Sequence, residues 1–142
     1  MKGERIPEQN HVSRYCSAIR CTESGEVTGA AFQLRPQDVF LSVNWLEFLQ
    51  LFSRYEEVSE IRKVLSSKLR LGTGSKIAVL NVGELLKSVR IKSPDGKELS
   101  VLHEPEEIDP SHSGVYGFSS DDDMIADLIA QVVSETYPAM EA

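Results

Sequence analysis

No lysine or arginine occurs after residue 103. Residues 104–142 hold 10 of the chain's 22 acids and so carry −10, while residues 1–103 set 15 basic residues against the other 12 acids for +3. A net charge of −7 excludes general nucleic-acid binding, which depends on a basic surface neutralising phosphates. Cysteine is scarce. The two present, Cys16 and Cys21, stand in a C-x4-C spacing that matches no common zinc or redox pattern, which leaves a pair of free thiols. Apolar runs are short, Ala78-Val79-Leu80 being typical, and none approaches the ~20 residues of a membrane-spanning helix. The polar start Met1-Lys2-Gly3-Glu4-Arg5 lacks the apolar stretch of a signal peptide. These absences point to a cytoplasmic, soluble protein that binds neither membrane nor nucleic acid. Apolar residues at 41% and charged residues at 26% are ordinary globular usage.

The chain of 142 residues is long enough for one core. Residues 1–10 are polar and read as a flexible N-terminal arm, with a single globular domain over 11–142. His11–Ile19 and Val27–Leu34 read as strands about a turn at Ser24-Gly25, and Val39–Val43 as a third. Trp45, Leu46, Phe48, Leu49 and Phe52 recur at helical spacing after Asn44, which predicts a helix over 45–53. Ser53 with Glu56 forms a capping box ahead of a second helix over 55–70. Lys76–Asn81 reads as a strand buried on both faces. Val89–Lys92 and Leu99–Leu102 flank Pro94-Asp95-Gly96 and read as a hairpin. Residues 103–120 read as a long polar loop, and Asp121-Asp122-Asp123 opens a last helix reaching residue 136. The elements do not alternate as a doubly wound sheet requires. They predict an α+β domain with a mixed or mainly antiparallel sheet of about five strands packed by about three helices.

Two histidines carry most of the chemical interest. His11-Val12-Ser13 and Ser111-His112-Ser113 each place hydroxyls beside an imidazole, which moves protons near neutral pH. His11 has the H-x-[ST] pattern found in pairs in two-histidine phosphoesterases. His112 does not, because Gly114 stands where that pattern needs Ser or Thr, and the family is not assigned. His11 and His112 are the catalytic candidates. Arg14, Arg35, Ser13 and Ser113 are the candidates for binding an anionic substrate. Cys16 is a weaker nucleophile candidate, since strand alternation turns it away from His11. Trp45 is expected in the core or, with Asn44 and Arg35, along a ligand groove.

His103, Glu104, Glu106, Glu107, Asp109 and His112 crowd one stretch, yet their spacing matches no metal motif, and no metal or cofactor is expected. Gly72-Thr73-Gly74-Ser75-Lys76 follows a helix and precedes a strand, the reverse of a phosphate loop. Two functions fit these residues. The first is a non-enzymatic accessory or protein-interaction module whose acidic segment meets a partner with a basic surface. The alternative is a small histidine-dependent enzyme acting on a phosphate- or nucleotide-type substrate.

Overall fold

Ile77, Ala78, Val79 and Leu80 are all buried, as successive apolar residues must be when both faces of a strand are covered. In the computed structural model, which describes residues 2–140, they lie in β3. The chain runs β1 (His11–Cys16), β2 (Leu41–Trp45), α1 (Arg54–Lys68), β3 (Lys76–Asn81), α2 (Val82–Lys92), β4 (Ser100–His103), β5 (His112–Tyr116), α3 (Asp123–Gln131) and β6 (Val133–Pro138). The strands form one six-stranded sheet in the order β4-β5-β2-β1-β3-β6. Every pairing is antiparallel. The α+β expectation therefore holds, with one strand more than the five anticipated.

The two faces of the sheet are covered differently. On one, Val12, Leu41, Val43, Ala78 and Leu80 pack against Val82, Leu85 and Val89 of α2, Ile125 and Ile129 of α3, and Phe32. On the other, Val58, Ile61 and Leu65 of α1 cover Ile77 and Val79 of β3, with Tyr15 and Tyr137 alongside. Helix α1 reaches across the β1, β3 and β6 half only. The β2 and β5 half of that face carries Ser42, Asn44 and His112, and it borders the cleft described below.

Several local expectations gave way to tertiary packing. Val89–Lys92 is the last turn of α2, not a strand. The Asn81 side chain accepts from the Glu84 amide and starts the helix, and Val82, Leu85 and Val89 form its buried stripe. Of the apparent alternation at Val89–Lys92 only Val89 belongs to that stripe, and Ile91 is exposed. The helix expected over 45–53 shrinks to a 3-10 turn at Glu47–Leu49, because Trp45 ends β2 and Gln50 is left-handed at φ 54°. Val27–Leu34 holds a 3-10 turn at Gly29–Phe32 instead of a strand. The last helix stops at Gln131, and the β-branched tail supplies β6. Within the expected 103–120 loop, His112–Tyr116 forms β5. Helix α1 begins where its capping box sets it, with Ser53 Oγ accepting from the Glu56 amide. Within residues 1–10, read as a loose arm, Gly3 and Ile6 donate backbone hydrogen bonds to β4, and Ile6 is buried.

Candidate functional site: a cleft where the sheet forks

β1 and β2 pair only at Val12 with Trp45 and Ser13 with Asn44. Beyond that point β1 continues along β3 as far as Cys16, and β2 continues along β5 as far as Leu41. The sheet forks, and backbone groups in the fork lose the ladder partners they would otherwise have. Arg14 fills the gap. Its Nη1 donates to the Ser42 carbonyl at 2.9 Å and its Nε to the Ala31 carbonyl at 2.9 Å. Through the fork opens a cleft of about 420 Å³, lined by Ser13, Arg14, Tyr15, Arg35, Ser42 and His112 among others.

The cleft is electropositive. Arg14, Arg20, Arg35 and Lys68 line it against one carboxylate, Asp38, which pairs with Arg35 at 3.1 Å. Arg14 is bonded only to neutral carbonyls, and among the described residues no carboxylate forms an ion pair with it. Burial lowers its pKa; Cys16 and Asp38 oppose that shift, while the nearby Arg20 and Arg35 add to it. A half-buried guanidinium with no carboxylate in direct contact attracts an anion. Ser13 stands beside it, 2% exposed, and its Oγ has no hydrogen-bond partner among the described residues.

His112 forms the far wall. Its Nδ1 lies 2.8 Å from the Glu104 carbonyl, which can only accept, so Nδ1 carries the proton. In the neutral ring Nε2 then presents its lone pair to Ser42 Oγ at 3.2 Å. Phe40 packs on this wall, its ring centroid 5.8 Å from His112 and 5.0 Å from Tyr116. Gly114 is what makes room, because a Cβ there would overlap the Phe40 ring. Tyr116 donates to the Glu104 carboxylate, and burial followed by that hydrogen bond pushes the phenol up to about 12.

The acidic connection between β4 and β5 is a closed tip. Glu106 and Asp109 exchange two backbone hydrogen bonds of 3.1 Å. Asp109, fully buried, accepts from Lys68 at 2.9 Å and from Asn44 at 2.8 Å. Glu106 takes a second Lys68 bond at 2.9 Å. The carboxylates behind the cleft are thus spent on holding Lys68 and Asn44 in its wall.

Of the residues singled out from sequence, Ser13, Arg14, Arg35 and His112 line this one cleft. His11 is not among its lining residues. Its Nδ1 lies 2.7 Å from Glu47 Oε2, and its amide donates to the same carboxylate at 2.7 Å. The structure therefore does not bring the two imidazoles into one cleft. Ser113 is buried on the opposite face of β5 and donates to the Ser111 carbonyl at 3.0 Å. Cys16 is buried in the core, and burial drives its thiol up to about 12, far from a nucleophilic thiolate.

Asn44 and Arg35 line the cleft, as the groove reading of that stretch has it. Trp45 faces the core instead and donates from Nε1 to Asn10 at 2.8 Å. His103 is buried in contact with Trp45 and Phe48. Among the described residues no group of three His, Cys, Asp or Glu is placed to hold a metal ion, and no helix is long and apolar enough to cross a membrane.

Ser42, Arg20 and Lys68 were missed by sequence reasoning. The available signal for Ser42 was polar Ser42 and Asn44 two apart within an otherwise apolar strand, which places both on one face. No family model, curated protein or solved structure matches this chain.

Proposed function

We propose that this protein binds a small molecule through a phosphate group held in the forked-sheet cleft, with His112 as the proton-transfer group beside it. The observation that carries the reading is Arg14, a guanidinium held by two backbone carbonyls and no carboxylate, on a lining shared with Arg20, Ser42 and His112. With Arg35 paired to Asp38 and Lys68 to Asp109 and Glu106, Arg14 and Arg20 are the two lining cations with no carboxylate partner among the described residues. A phosphate brings close to two charges and several acceptor oxygens, which also suits the neutral donors of the cleft.

Addition of inorganic phosphate or adenosine monophosphate is expected to raise the melting temperature above that in chloride of equal ionic strength. A ligand at a hundred times its Kd stabilises by about 2.7 kcal/mol. Arg14→Lys keeps the charge but loses the two-pronged geometry, so binding is expected to weaken about tenfold or more. No shift with either compound in the wild-type protein refutes the reading.

A second reading, a module docking on a protein with a basic surface, is favoured by a different observation. Phe52 is 98% exposed and Tyr55 69%, next to the exposed Glu56 at the start of α1. Large apolar side chains beside charge mark interaction surfaces. A photo-crosslinking residue at Phe52 is then expected to capture one basic protein, in a yield that falls with salt. Capture that is spread over many proteins, or is insensitive to salt, counts against docking.

A further inference from the structure

The cleft holds a serine for which simple ligand binding has no use. Ser42 Oγ lies 3.2 Å from His112 Nε2, within hydrogen-bond reach, and Ser42 is exposed on the cleft side of β2. The imidazole is oriented from behind by the Glu104 carbonyl at Nδ1, with the Glu106 carboxylate 3.7 Å from the same nitrogen and facing the charge the ring would acquire. A hydroxyl, a base with its lone pair toward that hydroxyl, and a third group fixing the base is the arrangement of an activated nucleophile. Arg14 is hydrogen-bonded to the backbone carbonyl of Ser42 itself, so the nucleophile and the unpaired cation sit on one residue's two sides. Phe40, seated over Gly114, limits how far the ring can swing.

We propose, resting on the phosphate-binding reading above, that Ser42 is the nucleophile and His112 the general base and acid in hydrolysis of a phosphoric monoester. Ser42 Oγ bonds to phosphorus and gives its proton to His112 Nε2. The ester oxygen leaves with the electron pair of its P–O bond and takes that proton. Water then attacks the phosphoserine and gives a proton to Nε2, the P–Oγ bond breaks, and Ser42 recovers its proton. The net change is monoester plus water to alcohol plus inorganic phosphate. Arg14, Arg20 and Arg35 line the same cleft and would offset the charge that gathers on the equatorial oxygens in the transition state.

The test uses the full chain with two probes. 4-Nitrophenyl phosphate reports turnover, and an organophosphorus fluoride reports an activated serine whatever the natural alcohol is. Acid-quenched protein is then mapped by peptide mass spectrometry. A phosphorus adduct on Ser42 is expected with the fluoride. It should be absent in Ser42→Ala and form about 10²–10⁴ times more slowly in His112→Gln. Phosphate-induced stabilisation should survive in Ser42→Ala, which separates this inference from the binding reading. Binding of phosphate without any Ser42 adduct from either probe overturns the nucleophile and leaves the binding site standing. Turnover that persists in Ser42→Ala overturns it as well, in favour of direct attack by water. Loss of phosphate binding in the wild-type protein removes both.

Discussion

Lys68→Met is expected to destabilise the fold by about 3 kcal/mol, the lower end of the ~3–5 kcal/mol seen when one partner of a buried ion pair is removed. The reason is the partner left behind. Asp109 is fully buried, and Lys68 Nζ at 2.9 Å is its only ion-pair cation among the described residues. Asn44 and Ser111 add hydrogen bonds but no charge. Methionine keeps the apolar stem that packs at the end of α1, so the loss isolates the ammonium. The lower end of the range applies because the lysine side chain is still 24% exposed.

Asp109→Asn in the same chain removes the stranded charge and is expected to restore most of the loss, a coupling that a double-mutant cycle in urea reads directly. Burial pulls the Lys68 pKa down, but its bonds to Asp109 and Glu106 outweigh this, and the net shift is upward. Its contribution is therefore fully present below the unfolded lysine value of about 10.4 and is lost as pH rises through the folded value. A Lys68→Met variant within 1 kcal/mol of wild type at neutral pH contradicts the account.

Phe32→Ala is expected to cost about 3–5 kcal/mol and to disable the cleft with it. Phe32 is fully buried and packs in the core between the sheet and α3. It closes a 3-10 turn, Gly29–Phe32, whose contact with α3 is so close that a Cβ on Gly29 would overlap Asp127. The ring has no ladder or helix to share its load, so its removal leaves a cavity that the short turn fills only by moving. That turn also presents the Ala31 carbonyl to Arg14 Nε. Phe32→Leu refills most of the volume and is expected to lose less than half as much stability. Urea unfolding gives the first difference. The phosphate-induced shift gives the second, and it should fall in Phe32→Ala even under conditions where the variant is fully folded.

The elements legible in the sequence were those stabilised by their own neighbours. The Ser53 box set the start of α1, and the four-residue apolar run at Ile77 announced a strand covered on both sides. The errors fell where a distant surface decided. Gly29–Phe32 lies in the apolar stretch Val27–Leu34, which reads as a strand, but it folds as a 3-10 turn against α3. The segment of β5 reads as loop in the sequence because His112, Ser113 and Gly114 show no hydrophobic alternation. Those residues pair with Asn44, Val43 and Ser42 of β2, a pairing that local patterning does not encode. The same strand shows why Gly114 breaks a motif that the sequence invited: its missing side chain is the seat of Phe40.

The site divides in the same way. Residue type marked His112, Arg14, Arg35 and Ser13 as chemically capable, since imidazole, guanidinium and hydroxyl carry that capacity wherever they stand. Whether they meet depended on where β1 and β2 part, a matter of each strand holding its second neighbour, β3 in one case and β5 in the other. His11 looked equal to His112 in sequence and is tied instead to Glu47.

The lack of any lysine or arginine after residue 103 was certain from the sequence alone, and with it the acidity of that segment. Tertiary structure decided what the acidity does. Pairing β4 with β5 turns Glu106 and Asp109 back onto Lys68 of α1, so two of the segment's ten acidic charges are engaged within the fold. The physical reason is that charge is counted along the chain, while its compensation depends on distances of a few ångströms between segments that only the folded sheet brings together.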